Sequence, residues 1–195
     1  MDRGGVAEHR QRLLEGLSGS VVEVGAGNGL NFAHYPAEVS RVLAVEPERH
    51  LRAIAQRNAE RAAVPIEVVH GVAAHLPAGD GDFDAAVASL VLCSVPDQQA
   101  ALAELYRVLR PGGQLRFFEH VRAETPTLAR IQRLLDATVW PFFLGGCHAS
   151  RDTAAAIVTA GFQIDRLERF RFPDGRVVMP SSPHILGVAS RPFTV

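Results

Sequence analysis

The chain has 195 residues, of which 47% are hydrophobic and 21% are charged, and its formal net charge is −1 at pH 7. This composition is typical of a single globular domain and excludes a disordered chain. The near balance of charge excludes a general electrostatic attraction to nucleic acids or to anionic membranes.

Short apolar runs alternate with helical patterns along the chain, which predicts an α/β fold with a parallel sheet. Residues 1–19 are expected to form an N-terminal helix that closes over the ligand. One helical pattern carries Leu51 and Ile54, and another covers residues 97–109 until a Pro-Gly-Gly turn at 110–113 stops it. The predicted parallel strands span residues 20–24, 41–45, 66–70, 83–92 and 114–119.

The C-terminal third is predicted to hold a cap and a hairpin. Residues 123–149 carry several aromatic side chains and are expected to cover the substrate, and Ser150 is the expected N-cap of a helix over 151–160. The strand-like runs 162–170 and 184–190 are too close for a crossover helix, so they are expected to be antiparallel. The prediction is one domain with a Rossmann-like seven-stranded sheet, five parallel strands plus a C-terminal antiparallel hairpin, and helices on both faces.

A glycine-rich string, EVGAGNG at residues 23–29, follows the first strand. Glycine allows a sharp turn and lets a ligand approach the backbone closely. A dinucleotide fingerprint reads GxGxxG, but here the spacing is GxGxG and Leu30 follows, which favours S-adenosylmethionine, a ligand without a phosphate. Glu23 is expected to orient this loop or to bind the methionine ammonium group. A glycine-rich loop that binds nothing is the alternative.

Glu46 ends the second strand, 21 residues after Gly25. An acidic residue at this separation can accept hydrogen bonds from both ribose hydroxyls, whereas the alternative is a solvated surface glutamate. The adenine is expected near residues 71–75, with Val72 and Leu76 packing on the ring. The predicted cofactor-binding residues are Glu23, Gly25, Ala26, Gly27, Gly29, Glu46, Pro47, Gly71, Val72, Ala73 and Ser89.

The strings EVGAGNG, AVEP, FDAAVAS and LRPGG occur in the order and spacing of the class I S-adenosylmethionine-dependent methyltransferases, which the chain resembles over residues 21–188. It is most similar to the methyltransferase-like protein 7 group, known as thiol methyltransferases. LVLCSV at 90–95, EHV at 119–121, the segment around Trp140 with Gly146-Cys147, and PHI at 183–185 carry this resemblance. Animal members have an N-terminal hydrophobic membrane segment that this chain lacks, so membrane attachment is not carried over.

The resemblance implies a methyl donor whose sulfonium already activates the methyl group. The enzyme then has to align an acceptor and exclude water. A thiol acceptor would be helped by a group that raises its thiolate fraction. His120, after the fifth strand, is the predicted catalytic residue, with a structural histidine as the alternative. His148 is the second candidate, although a structural role is favoured for it, and His184 is expected to cap a strand.

No metal is expected, because the histidines form no ligand-like cluster and the two cysteines lack metal-ligand spacing. Cys93 is interpreted as a small buried hydrophobe, and Cys147 as a residue that lines the acceptor pocket. Trp140, Phe142, Phe143 and Phe172 are expected to form either that apolar pocket or a small core of the cap.

The predicted function is S-adenosylmethionine-dependent methylation of a small apolar molecule, with an alkyl thiol as one candidate. The first alternative is a methyltransferase for a carbon, oxygen or phospholipid amine acceptor. The second alternative is a cofactor-binding module without catalysis. The glycine spacing and the final hairpin disfavour a nicotinamide-dependent oxidoreductase. The absence of an Asn/Asp-Pro-Pro-aromatic run after the fourth strand disfavours nucleic-acid substrates.

The setting is expected to be cytoplasmic and bacterial. The first twenty residues hold no apolar signal segment, and no run approaches the length of a membrane-spanning helix. All 20 basic residues are arginines, a bias typical of GC-rich genomes.

Overall fold

The computed structural model describes residues 5–138, 140–143, 145–173 and 179–193. Its strands form one seven-stranded sheet in the order β3-β2-β1-β4-β5-β7-β6. The strands are β1 Gly19–Val24, β2 Val39–Val45, β3 Ile66–Val69, β4 Phe83–Ser89, β5 Leu109–His120, β6 Gln163–Arg171 and β7 Pro183–Ser190. The α-helices are α1 Val6–Leu14, α2 Arg49–Ala59, α3 Gln98–Val108, α4 Pro126–Asp136, α5 Trp140–Phe143 and α6 Thr153–Thr159.

The pairing of the strands confirms the predicted fold class. Strands β1 to β5 pair in parallel, and β7 is antiparallel to both β5 and β6. The short segment between β6 and β7 forces this reversal, because a parallel pair needs a longer crossover.

Helices cover both faces of the sheet, so its central strands are apolar on both sides. On one face, Leu102 of α3 and Ile157 of α6 pack with Val22 and Val24 of β1. On the other face, Leu13 and Leu14 of α1 and Ala55 of α2 pack against Val21.

Three predicted boundaries were wrong. Strand β4 ends at Ser89 rather than at 92, because Leu90 takes a left-handed φ of 57° and leaves the strand direction. The predicted turn at 110–113 lies inside β5, which begins at Leu109. Asp152 rather than Ser150 caps α6, since its carboxylate accepts the Ala155 N–H.

The predicted N-terminal helix is present as α1, and residues 1–4 of that prediction lie outside the described residues. Arg10 of α1 donates to the Asn31 side chain (2.7 Å) and reaches Ser89 Oγ (3.4 Å). The helix therefore lies against the ends of β1 and β4, where a ligand is expected. Among the helices in the described ranges, none combines the length and the apolar character that crossing a lipid bilayer requires.

Candidate active site

The carboxyl ends of the parallel strands meet at one edge of the sheet. Because β7 runs antiparallel, its first residues reach the same edge, and His184 of β7 pairs directly with His120 at the end of β5. Open α/β sheets bind ligands at this edge. The predicted binding and catalytic residues are therefore gathered on one side of the molecule.

The glycine loop after β1 needs its first two glycines for different reasons. A Cβ at Gly25 would lie 2.2 Å from Val91 Cγ2, so this glycine allows the loop to pack against the segment after β4. Gly27 has φ 58°, and a Cβ there would meet no protein atom within 4 Å. The surface above Gly27 is therefore open to a ligand, which fits the cradle predicted for S-adenosylmethionine.

Glu46 joins this loop to the end of β2. Its Oε2 accepts the Gly27 N–H (2.8 Å) and its Oε1 accepts the Glu48 N–H (2.8 Å), while the residue is 5% exposed. Each carboxylate oxygen can accept a second hydrogen bond. The carboxylate is thus oriented by backbone donors and keeps acceptor capacity for a pair of ribose hydroxyls.

Glu23 lies buried beneath the same loop. Its carboxylate accepts hydrogen bonds from Asn31 Nδ2 and from the Tyr35 hydroxyl, both at 2.7 Å. Burial raises the pKa of Glu23 to about 7, although the two donors and the nearby Arg10 act to lower it. Of the two roles predicted for Glu23, these contacts favour orientation of the loop.

The predicted adenine region follows β3. His75 N–H donates to the Val72 carbonyl (3.0 Å), which forms a tight turn, and the Val72 side chain is exposed. Leu76 was also expected on the adenine ring, but it is buried in the core. Of the two side chains predicted to pack on the adenine ring, only that of Val72 is exposed at the surface.

The other predicted cofactor-binding residues lie around the glycine loop. Ala26 is buried and donates its N–H to Val45 O (3.2 Å), and Gly29 donates to Ala26 O (2.9 Å). Pro47 follows Glu46 at the exposed start of the next segment, and Ser89 ends β4.

Three side chains that sequence reasoning treated separately meet at the end of β5. His120 Nδ1 lies 3.3 Å from Cys147 Sγ and 4.0 Å from Cys93 Sγ. All three potential ligand atoms lie within 4.8 Å of one another. Cys93 is 1% exposed, Cys147 is 5% exposed and His120 is half-buried. We refer to these residues as the Cys-His-Cys cluster.

The two thiols of the cluster differ in acidity. The hydrogen bond with Cys93 lowers the pKa of the Cys147 thiol, although burial opposes this. The same hydrogen bond, together with burial, raises the pKa of Cys93 to about 12. The Cys147 thiol is therefore the more acidic of the two.

Glu119 is a structural group of the site that sequence reasoning did not single out. It is fully buried and accepts the backbone N–H groups of Val91 (3.0 Å), Leu92 (2.9 Å) and Cys93 (3.2 Å). Burial raises the pKa of Glu119 well above its ordinary value. Its signals in the sequence were its position beside His120 at the end of a strand and its place in the EHV string at 119–121.

The other two histidine candidates have their own backbone partners. His148 Nδ1 lies 2.7 Å from the Gly146 carbonyl, and its backbone N–H donates to Cys93 O (2.8 Å). His184 is buried, and its ring centroid is 4.4 Å from that of His120. Burial lowers the pKa of His184 to about 4, so its imidazole is neutral at physiological pH.

Trp140 is half-buried, but the other aromatic residues expected in the apolar pocket or cap core do not lie there. Phe142 is 86% exposed and Phe143 is 75% exposed, and they contact each other edge to face. Phe172 instead packs against His184 and His9. Residues 139 and 144 of the predicted cap lie outside the described residues.

Comparison with known proteins points to one family. A family model described as a methyltransferase domain matches residues 22–117. The human protein "Thiol S-methyltransferase TMT1A" is 37% identical over 180 residues, which cover 87% of this chain and 70% of that protein. The mouse "Thiol S-methyltransferase TMT1B" is 38% identical over 182 residues, covering 90% and 73%.

The crystal structure of a "putative methyltransferase" from Bacillus halodurans is similar in fold. It has a TM-score of 0.76 at 17% identity and covers 97% of this chain and 100% of that chain. At this level of identity the likeness concerns the fold alone.

Proposed function

This chain belongs to the class I S-adenosylmethionine-dependent methyltransferases, in the group of thiol S-methyltransferases, and from that membership we propose that it methylates the sulfur of a small apolar thiol. The observation that carries the proposal is the position of His120 at the ligand-binding edge, with two cysteine sulfurs within 4.0 Å of its Nδ1. Relatives that are named thiol S-methyltransferases support the choice of acceptor.

The cofactor supplies an electrophilic methyl group on its sulfonium sulfur. In our proposal, Glu46 binds the two ribose hydroxyls and Gly27 leaves room for the adenosyl group. Residues 71–73 line the adenine site, and Ser89 lies on the methionine side. Glu23 acts indirectly, through Asn31 and Tyr35.

His120 is the proposed catalytic residue, because it can raise the fraction of the acceptor that is in the thiolate form. An ordinary thiol has a pKa of about 8.5 and is mostly protonated at neutral pH. The main chain at His148 holds the segment of Cys93 in place, since its backbone N–H donates to the Cys93 carbonyl at 2.8 Å.

The proposal treats residues 1–195 as one catalytic domain with 123–149 as its cap. We also propose that the enzyme is bacterial and cytoplasmic. All its basic residues are arginines, and both of its cysteines are free, which supports this expectation. No nucleic-acid partner is proposed.

A screen of matched acceptors tests this function. With a radiolabelled methyl donor, an alkyl thiol is expected to be methylated at least tenfold faster than the alcohol, amine and phenol of similar shape. His120→Asn is expected to lose turnover while calorimetry shows unchanged binding of S-adenosylhomocysteine. Preference for an oxygen, carbon or amine acceptor would refute the thiol assignment, and binding of NADH in place of S-adenosylhomocysteine would refute the cofactor assignment for this chain.

A further inference from the structure

We propose that the Cys-His-Cys cluster holds a zinc ion whose open coordination position binds the acceptor thiol. This inference rests on the proposed function, because it specifies how His120 raises the thiolate fraction of the acceptor. Spacing along the sequence predicted no metal, since Cys93 and Cys147 each lie 27 positions from His120. The fold nevertheless brings these three residues together.

The distances fit a tetrahedral zinc site. Zinc binds thiolate sulfur at about 2.3 Å and imidazole nitrogen at about 2.0–2.1 Å, so tetrahedral angles place the sulfur and nitrogen ligands about 3.6 Å apart. The observed separations from His120 Nδ1, 3.3 Å to Cys147 Sγ and 4.0 Å to Cys93 Sγ, lie on either side of this value. Small side-chain rotations would therefore complete the geometry.

The number of ligands favours a site that binds substrate. Structural zinc sites are closed by four protein ligands, whereas catalytic sites use three and keep one position for water or substrate. Within the described residues, the cluster contains three candidate ligands. Both cysteines are buried and His120 is half-buried, so the ion would be reached from the His120 side, at the ligand-binding edge.

The loops that carry the two sulfurs are anchored by carboxylates. Glu119 accepts the Cys93 N–H (3.2 Å), and Asp136 accepts the N–H groups of Ala149 (2.9 Å) and Ser150 (2.8 Å), just after Cys147. Such outer contacts hold metal ligands in place and strengthen binding.

The chemistry needs no oxidant or reductant. A thiol R–S–H binds at the open position and releases its proton to solvent, because coordination to zinc lowers the pKa of a thiol. The acceptor sulfur then forms a bond to the methyl carbon while the bond from that carbon to the donor's sulfonium sulfur breaks. The products are the thioether R–S–CH₃ and S-adenosylhomocysteine. The neutral thioether is a weaker ligand than the thiolate and can leave.

Cobalt(II) substitution tests the site without relying on activity. The full chain is reduced, stripped with a chelator and titrated with cobalt(II), then with zinc in competition with a chromophoric chelator. One equivalent of cobalt is expected to give the charge-transfer and visible bands of tetrahedral thiolate coordination. Addition of an alkyl thiol is expected to shift the visible bands, whereas the matching alcohol is expected to leave them unchanged.

Single variants locate the ligands. Cys93→Ser, Cys147→Ser and His120→Asn are each expected to weaken zinc binding at least about a hundredfold, since lost outer contacts alone cost 10- to 100-fold. His50→Asn, at an exposed histidine of α2, is the matched control and is expected to bind zinc like the natural chain. Retained binding of S-adenosylhomocysteine shows that each variant is folded.

The outcomes separate this inference from the proposed function. Absence of metal binding by the reduced chain overturns the site, as does zinc affinity that the three variants leave unchanged. The site is also overturned if thiol counting shows that Cys93 and Cys147 are joined in a disulfide and are therefore not available to bind zinc. Full thiol methylation by the metal-stripped chain also refutes the inference but leaves the proposed function intact. Metal binding without any thiol methylation refutes the proposed function instead.

Discussion

Glu46→Gln tests how the cofactor is held. In the folded chain, the two carboxylate oxygens of Glu46 accept the N–H groups of Gly27 and Glu48, both at 2.8 Å. Glutamine keeps the shape of the side chain but replaces one oxygen by an NH₂ group, which is a donor only. Either a backbone N–H or a ribose hydroxyl then loses its acceptor.

The magnitude follows from the loss of one charge-assisted hydrogen bond. Such a bond contributes about 1.5–3 kcal/mol, and each 1.4 kcal/mol is a tenfold change in affinity. Glu46→Gln is therefore expected to weaken binding of S-adenosylhomocysteine by about 10- to 150-fold. The loop also loses stability, because its orientation depends on the same carboxylate.

Glu48→Gln is the matched control. Glu48 is exposed and caps α2 by accepting the N–H groups of His50 (2.8 Å) and Leu51 (2.7 Å). Its substitution is expected to lower the free energy of unfolding only slightly and to leave the affinity for S-adenosylhomocysteine nearly unchanged. Isothermal titration calorimetry and urea unfolding measure both quantities. Equal losses of affinity in the two variants would refute the assignment of the ribose site to Glu46.

Three further predictions concern the glycine loop and the carboxylate beneath it. Gly27→Ala is expected to lower the free energy of unfolding by only about 1–2 kcal/mol, the cost of a non-glycine residue in a left-handed conformation. It is nevertheless expected to abolish binding of S-adenosylhomocysteine in calorimetry, because the added Cβ enters the open surface where the ligand is expected. Gly25→Ala is expected to destabilise the chain considerably more in urea unfolding, since its Cβ would lie 2.2 Å from Val91 Cγ2; equal stability losses for the two alanine variants would contradict this packing argument. The pKa of Glu23 is about 7 in the folded chain, against its ordinary value of 4.5, so the folded chain binds this proton more tightly than the unfolded chain does. The contribution of Glu23 protonation to the free energy of unfolding is therefore fully present below pH 4.5 and is lost as the pH rises through 7. Relative to Glu23→Gln, the free energy of unfolding of the natural chain is expected to fall by on the order of 3 kcal/mol over that pH range. If urea unfolding shows that the difference in stability between the two chains stays constant between pH 5 and pH 8, the raised pKa of Glu23 is refuted.

Much of the cofactor half of the site could be predicted from the sequence. The string at residues 23–29 and the carboxylate of Glu46 lie at the ends of neighbouring strands, so their distance depends on local features and on one strand pairing. The orientation of Glu23 needed the structure, because Asn31 and Tyr35 come from the segment after the loop. The burial of Leu76 also depended on packing against distant helices.

The order of strands and helices along the chain, the parallel core and the antiparallel end of the sheet were all predictable from the amino-acid sequence. Hydrophobic periodicity, glycine spacing and connection length are local properties, so they can be recognised in the sequence without knowledge of tertiary contacts. The proximity of Cys93, His120 and Cys147, in contrast, became visible only in the folded chain. Each of these residues lies 27 positions from the next along the chain, on a different segment. Their proximity requires that β4 and β5 are neighbours in the sheet and that the segment with Cys147 folds back over the carboxyl end of β5. Sequence patterns over a few residues do not predict contacts between segments that are far apart along the chain.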